Sequence, residues 1–500
     1  MADHLVSRRN VLSGMSTAAA AATLGVSSAQ AADGGSESVE ETKRPNILFF
    51  CGEGLRHDAF SATGNAIAQT PNLDRILREG VTFRNAFCTN ALCLPSRGSI
   101  LTGAWSHTTG AATNGDDGIP DRFPIISDVL RKAGYDIAFI GKSHVKGALT
   151  DHYWDYYFGF PGQASYYGSE IVEGRDGKLG PPVKYNEYVD DVLTDKTVKW
   201  LSERKSDKPF CIFVWFYAPH EPFYRPRRLA DLYNGVRVPK PHNFDDDIAG
   251  YPGKPRCVAN ADNKMVTSSV FTDCPRSLEE VVKDYYAGVE CNDENVGRIF
   301  KTLASRNQLD DTAVVLSSDH GFFLGEHCFY DKRLMYEPSI RVPMSIRYPK
   351  RFKAGTVRDE MVLNVDIAPT IYDIAGVEIP ETVQGRSFYQ LAQGNDQPDW
   401  RKDWLYEYYE YPGYENVRPS RGVRTERYKY IHYFLDPEEF ELYDLQEDPS
   451  EDHNLYGKPG YEKLTAQLKK RLEELRRETD DHYEYHPAQE FRIGLVPVKK

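Results

Sequence analysis

TAVVLSSDHG, residues 312–321, is apolar for the length of one strand and then turns abruptly polar. A continuous apolar run of this length is buried on both faces, which is the mark of a parallel sheet covered by helices. Three other stretches share the pattern. Asn46 to Phe50 ends in Cys51-Gly52-Glu53-Gly54, and Asp136 to Ile140 ends in Gly141-Lys142-Ser143-His144. Phe210 to Tyr217 ends in Ala218-Pro219-His220. Helical patterns lie between these runs. Thr70-Pro71 caps and opens one that stops at Gly80. Others cover Ser127 to Ala133, Asn186 to Arg204 and Leu278 to Asn307. Alternation of this kind predicts an α/β fold with a mostly parallel central sheet. In such sheets ligands bind beyond the carboxyl ends of the strands, so the polar tips are expected to face one crevice.

The chain has 500 residues, 40% of them hydrophobic and 27% charged, with a formal net charge of -13. That composition describes a globular protein and argues against non-specific nucleic-acid binding. Residues 1–31 read as an export signal of the twin-arginine type: Arg8-Arg9, an Ala-rich stretch, and a small-residue cleavage site at Ala29-Gln30-Ala31. The stretch is too short and too polar for a membrane span. The mature chain is therefore expected to be exported, periplasmic or secreted, with residues 32–44 as a linker. Residues 45–390 read as the catalytic domain, interrupted by an irregular, Pro- and Asp-rich insertion at 225–277. Residues 391–500 read as a small α+β domain of short strands and one amphipathic helix, Tyr461 to Glu478. Among the cysteines, Cys257 and Cys274 are the expected disulfide pair. Cys51, Cys211 and Cys291 read as buried thiols.

The strand tips assemble one chemistry. Glu53, Asp319 and His320 offer hard oxygen and one imidazole nitrogen, a set that suits calcium or magnesium better than zinc. Arg97, Lys142, His144, His220 and Lys332 add positive charge and proton donors. A cation ringed by cationic side chains is a trap for a tetrahedral oxyanion. Singly, each residue has a plainer reading: a solvated Glu53 or Lys332, a turn-capping His220, a buried Cys93. Their joint occurrence at strand tips carries the argument. Cys93 opens a turn into a helix, where the positive helix terminus favours a thiolate.

Cys93-x-Pro95-Ser96-Arg97 followed by Leu101-Thr102-Gly103 resembles the signature of the sulfatases, formylglycine-dependent members of the alkaline phosphatase superfamily. Thr70 to Asp74, Gly141 to His144, Ala218 to His220, Asp319 to Gly321, Arg341 to Pro343 and Glu441 to Leu445 resemble further landmarks in family order. The resemblance implies an alkaline-phosphatase-like α/β/α sandwich with a small C-terminal domain. It implies that a formylglycine-generating enzyme oxidises Cys93 to formylglycine, whose hydrated form attacks a sulfate ester. By the same resemblance Arg97, Lys142 and His144 hold the diol and sulfate. His220 and Lys332 bind sulfate oxygens and help protonate the leaving alcohol, while Glu53, residue 93, Asp319 and His320 bind Ca2+ or Mg2+. A sulfated small molecule or carbohydrate is the implied substrate, with no nucleic-acid partner and no membrane span in the mature protein. One departure stands out: many sulfatases carry two adjacent aspartates where this chain has Glu53-Gly54, and water or Asp58 is expected to fill the gap. A phosphonate or phosphate ester hydrolase of the same superfamily, and a catalytically silent binding protein, are the alternatives.

Overall fold

The computed structural model describes residues 44–116, 118–145, 152–160, 162–244, 253–265 and 276–485. The export segment and Cys274 lie outside them, and with Cys274 the expected Cys257–Cys274 pair. Among the described residues the main sheet contains ten strands. In chain order they are β1 (Asn46–Gly52), β2 (Val81–Phe83), β3 (Asp136–Lys142), β4 (Tyr156–Phe160), β5 (Ser169–Arg175), β6 (Lys178–Tyr185), β7 (Phe210–Trp215), β8 (Thr312–Ser318), β9 (Met344–Arg347) and β10 (Thr356–Arg358). Their spatial order is β10-β2-β9-β8-β1-β7-β3-β4-β5-β6. The five strands from β8 to β4 run parallel. Antiparallel pairing begins at β9 on one side and at β5 on the other.

The four apolar runs are the four central strands. Side chains alternate across a strand, and here both faces are covered. Ile47, Phe49, Ile137, Phe139, Phe213, Trp215 and Val315 enter one core. Leu48, Phe50, Ala138, Ile140, Ile212, Val214, Val314 and Leu316 enter the other. The helices Cys93–Thr102, Ile126–Lys132 and Ile367–Ala375 pack on the first face. Pro71–Glu79, Val189–Glu203 and Leu278–Ser305 pack on the second. The register is level: Phe49 faces Phe213 and Val315, and Gly52 faces Ser318. The carboxyl ends of β1 and β8 therefore finish side by side.

Two helix starts show how capping is met, one within its own segment and one from another helix. Ser277 and Glu280 form a reciprocal capping box at the start of the 28-residue helix Leu278–Ser305. Thr70, expected to cap Pro71–Glu79, instead donates its hydroxyl to Asp74 at 2.8 Å. Asp293 of the long helix does the capping, accepting from the backbone N–H groups of Asn72 and Leu73 at 2.8 and 2.7 Å.

Beyond residue 400 four antiparallel strands, Asp403–Tyr408, Ser420–Thr425, Tyr428–Tyr433 and Glu439–Asp444, pair in sequence order. One face, with Leu405, Val423, Tyr430 and Leu442, receives Leu468, Leu472 and Leu475 of helix Glu462–Glu478. The other face, with Trp404, Tyr406, Ile431 and Tyr443, joins the main core. Among the described residues no helix is long and apolar enough to cross a membrane.

His107 fastens the end of that C-terminal helix to the catalytic side. Its Nδ1 lies 2.7 Å from the buried Glu407 carboxylate and its Nε2 2.9 Å from the Thr479 carbonyl. Both nitrogens face acceptors, so both must donate, and the ring is an imidazolium. Burial opposes that charge, but Glu407 outweighs it and raises the His107 pKa. A raised folded-state pKa gives stability that is complete below the unfolded value of about 6.5 and lost as pH rises through the folded value. The denaturant midpoint should therefore fall on raising the pH above neutral, and His107→Gln should flatten that slope. Equal slopes for the two proteins would contradict the ion pair.

Candidate active site

Glu53 is the residue after β1, Asp319 the residue after β8, and Lys142 the last of β3. Level strand ends bring them together. Gly141 is required for this: its φ is +130°, and a Cβ there would lie 1.9 Å from the Trp215 carbonyl oxygen. Cys93 is the first residue of the helix Cys93–Thr102, every residue of which is buried. Arg97 stands one turn later on the same face.

The contacts converge on Glu53. Its Oε1 accepts from the Cys93 thiol at 2.8 Å and from Lys142 Nζ at 2.8 Å. Its Oε2 pairs with Arg97. Arg97 Nε donates to Asp319 Oδ2 at 2.9 Å, so one guanidinium holds both carboxylates. The Gly54 and His320 backbone N–H groups donate to Asp319 Oδ1, each at 3.0 Å. His320 Nδ1 lies 2.8 Å from the Gly321 carbonyl, which makes it a protonated, donating nitrogen. That leaves Nε2 facing Cys93 Sγ at 3.5 Å. Ser96, held by Asn364 Nδ2 at 2.9 Å, donates to the Asp319 carbonyl.

His220 Nε2 lies 3.7 Å from Glu53 Oε1 and 3.4 Å from Glu221 Oε1. Lys332 Nζ pairs with Asp331 at 2.8 Å and lies 3.7 Å from Glu221. His144, at φ +51°, ends the β3 tip with its Nδ1 buried. Burial and the neighbouring Lys142 hold its pKa well below the ordinary histidine range. Glu53, Cys93, Arg97, Lys142, His144, His220, Asp319, His320 and Lys332, the residues given roles from the sequence, are thus at one place. Asp58 is not part of it. Arg56 clamps that carboxylate at 2.8 Å through both Nε and Nη2, and its side chain is 41% exposed. The strand after Glu53 turns through Gly54 at φ +69°, whose N–H is spent on Asp319. Two residues that the sequence did not single out also belong here. Gln163, beyond the unrecognised strand β4, accepts from Lys142 Nζ at 2.9 Å. Glu221 was hidden as the neighbour of His220.

The electrostatics suit an anionic guest. Burial pushes Glu53 up, yet Arg97, Lys142 and His220 hold it well below the ordinary carboxylate range. Burial and Glu53 push the Cys93 thiol up, while Lys332 and Lys142 pull it down further, to about 7. Burial opposes charge on His320, and Asp319 raises its pKa. Among the described residues Glu53, Cys93, Asp319 and His320 each offer a ligand atom within 4.8 Å of the others. Two carboxylates and an imidazole fit a hard divalent cation. Cys93 Sγ marks the position that the oxygens of an oxidised residue 93 would take.

A buried thiol among two carboxylates and six cationic or imidazole groups, Arg97, Lys142, His144, His220, His320 and Lys332, defines a hydrolase for esters of tetrahedral oxyanions, on an alkaline-phosphatase-like fold. The chain belongs to the sulfatase family, which its residues 45–377 match, and it is a sulfuric ester hydrolase. Residues 325–478 match the C-terminal region of N-sulphoglucosamine sulphohydrolase. It is 36% identical to an N-acetylglucosamine-6-O-sulfatase of Bacteroides thetaiotaomicron, over 89% of this chain and 88% of that one. An ulvan-active sulfatase of Formosa agariphila is 27% identical over 88% and 83%. A protein structure solved in complex with its substrate, D-glucosamine-2-N,6-O-disulfate, superposes with a TM-score of 0.80 at 33% identity, covering 88% of this chain and 99% of that one. A phosphonate monoester hydrolase from Silicibacter pomeroyi, 22% identical with a TM-score of 0.73 over 88% and 96%, shares the fold. The family implies a formylglycine and a divalent metal.

Glu53 should be indispensable to the site. Glu53→Ala removes one ligand and unpairs both Lys142 and Arg97. It should lower the bound divalent metal, read by elemental analysis, and reduce turnover about 10²-fold or more. Unaltered metal content would show that Glu53 is not a ligand.

Proposed function

We infer that the protein is an exported sulfatase that removes a 6-O-sulfate from glucosamine-type residues of a sulfated carbohydrate. The observation that carries this reading is the enclosure of Cys93 by Glu53, Asp319, Lys142, His220 and Lys332. The relative named for N-acetylglucosamine-6-O-sulfate supports the sugar, and the solved complex with glucosamine disulfate agrees with it. Export is supported by the Arg8-Arg9 segment read as a twin-arginine signal, and the mature enzyme would then act in the periplasm or outside the cell. Residues 45–390 would carry the catalysis and 391–500 the supporting C-terminal domain.

A formylglycine at position 93, made by a formylglycine-generating enzyme, would supply a hydrated aldehyde: one hydroxyl to attack sulfur, a second to expel sulfate and restore the carbonyl. A calcium ion held by Glu53, residue 93, Asp319 and His320 would supply Lewis acidity. The chain's own groups do the rest. Arg97 fixes the two carboxylates at one spacing, so the nucleophile's surroundings are set before substrate arrives. Lys142 and Lys332 neutralise the sulfate oxygens as charge builds on them. His220 holds Nδ1 toward the Glu221 carbonyl, leaving Nε2 to carry the proton that the departing alcohol takes up. Burial of the whole group excludes bulk water and strengthens each of these interactions.

The test is sulfate release from N-acetylglucosamine-6-sulfate, measured beside its 6-phosphate counterpart and other sulfate positions. The 6-sulfate should be the best substrate, and Lys332→Ala should cut its kcat by about 10²- to 10³-fold. Faster hydrolysis of the phosphate would overturn the assignment to sulfate, and indifference to sulfate position would overturn the assignment to the 6-position.

A further inference from the structure

A second cationic cavity lies behind the β1 turn. It has a volume of about 520 Å³, and its walls include Arg56, His57, Lys240, Arg341 and Arg424. Four parts of the chain meet there: the segment just after Glu53, the 239–243 stretch of the insertion, the 326–341 segment that follows β8, and the C-terminal region from Arg424 to Ser450. A second cavity of about 740 Å³ shares the His57 and Arg341 walls. Neither includes the catalytic cysteine, lysines or His220 in its lining.

The charges in the first cavity do not cancel. Its two carboxylates are Glu326 and Glu337. Glu326 is taken by Arg56 at 2.7 Å. Glu337 is shared between Arg424 at 2.9 Å and Lys429 at 3.0 Å. Arg341 is left over. Its Nε and Nη2 donate to the Arg84 carbonyl at 3.1 and 2.6 Å, and among the described residues it forms no ion pair. Burial, with Arg424 and Arg84 close by, pulls its pKa down against the opposing effect of Glu337. Beside it the buried Nδ1 of His57 has no hydrogen-bond partner among the described residues. A part-buried guanidinium with no carboxylate in direct contact, only Glu337 and Asp58 acting at longer range, is incompletely compensated, and an unpaired buried imidazole nitrogen is costly. An anion seated between them removes both costs.

We propose that this cavity is a second binding site for a tetrahedral oxyanion, a sulfate group, held by Arg341, Arg424 and His57 apart from the catalytic centre. The group is either carried on the sugar chain or free as the released product. The sugar-borne case rests on the function proposed above; the site itself rests on its own charges.

The full-length Cys93→Ala chain, which does not turn over, is titrated with inorganic sulfate by calorimetry. Two sites are expected. Arg341→Gln should weaken one of them roughly tenfold or more, Arg341→Lys should retain it, and Lys142→Ala should remove the other. A single site, or two sites indifferent to Arg341→Gln in a chain with unchanged melting, overturns the proposal. Selenate diffused into crystals of the Cys93→Ala chain needs no Arg341 variant. Anomalous density within hydrogen-bond reach of Arg341 supports the site, and its absence while the catalytic site is filled overturns it. Titration with D-glucosamine-2-N,6-O-disulfate separates the sources. Arg341-dependent binding of the sugar assigns a substrate-borne sulfate, and dependence seen with inorganic sulfate alone assigns the product. Failure of the catalytic reading would appear instead at the Lys142-dependent site.

Discussion

Arg97 bridging Glu53 and Asp319 is the contact on which the site depends. Two buried carboxylates at adjacent strand ends repel each other, and desolvation raises the cost of both charges. One guanidinium, donating Nε to Asp319 and pairing its other end with Glu53, makes the pair tolerable. It also fixes their spacing and ties the nucleophile's helix to the sheet, because Arg97 and Cys93 share a helical face. Lys142 then completes Glu53 from β3. A change at any of these four residues is felt by the other three, as expected of a buried network in a low-dielectric interior.

The fold serves this contact. Parallel strands in level register deliver their tips to one rim, and the two hydrophobic layers keep that rim rigid. The C-terminal sheet adds a third block, packed through Trp404, Tyr406 and Tyr443 onto the same core that carries the nucleophile's helix. His107 and Glu407 lock it there. A hydrolase that must limit bulk water while admitting an anionic sulfate ester benefits from such a scaffold, since little reorganisation is left for the reaction itself.

Much of this was legible in the residues, for a physical reason. A strand buried on both faces must be apolar throughout, so β1, β3, β7 and β8 announce themselves, and the abrupt polar tips follow. Glu53, Lys142, His220 and Asp319 were found in that way and Cys93 from its Pro-Ser-Arg helix start, with the family signature supplying their roles. The edge strands were not legible. Lys178–Tyr185 is almost wholly exposed and carries Gly180, Pro181 and Pro182, so no apolar pattern marks it. Gln163 was missed with the strand before it. Asp58 was misplaced because sequence proximity to Glu53 says nothing of direction, and Arg56 turns it away. The cationic cavity was illegible for a similar reason: its walls come from segments nearly 400 residues apart, and charge cancellation can be judged only pair by pair in three dimensions.

The account stands or falls on what residue 93 becomes. Mass spectrometry of the peptide spanning Cys93, taken from active protein made in a host that has the modifying enzyme, reads this directly. The account predicts an aldehyde at position 93 in a fraction that tracks specific activity. Full activity with an unmodified thiol at position 93 would contradict it.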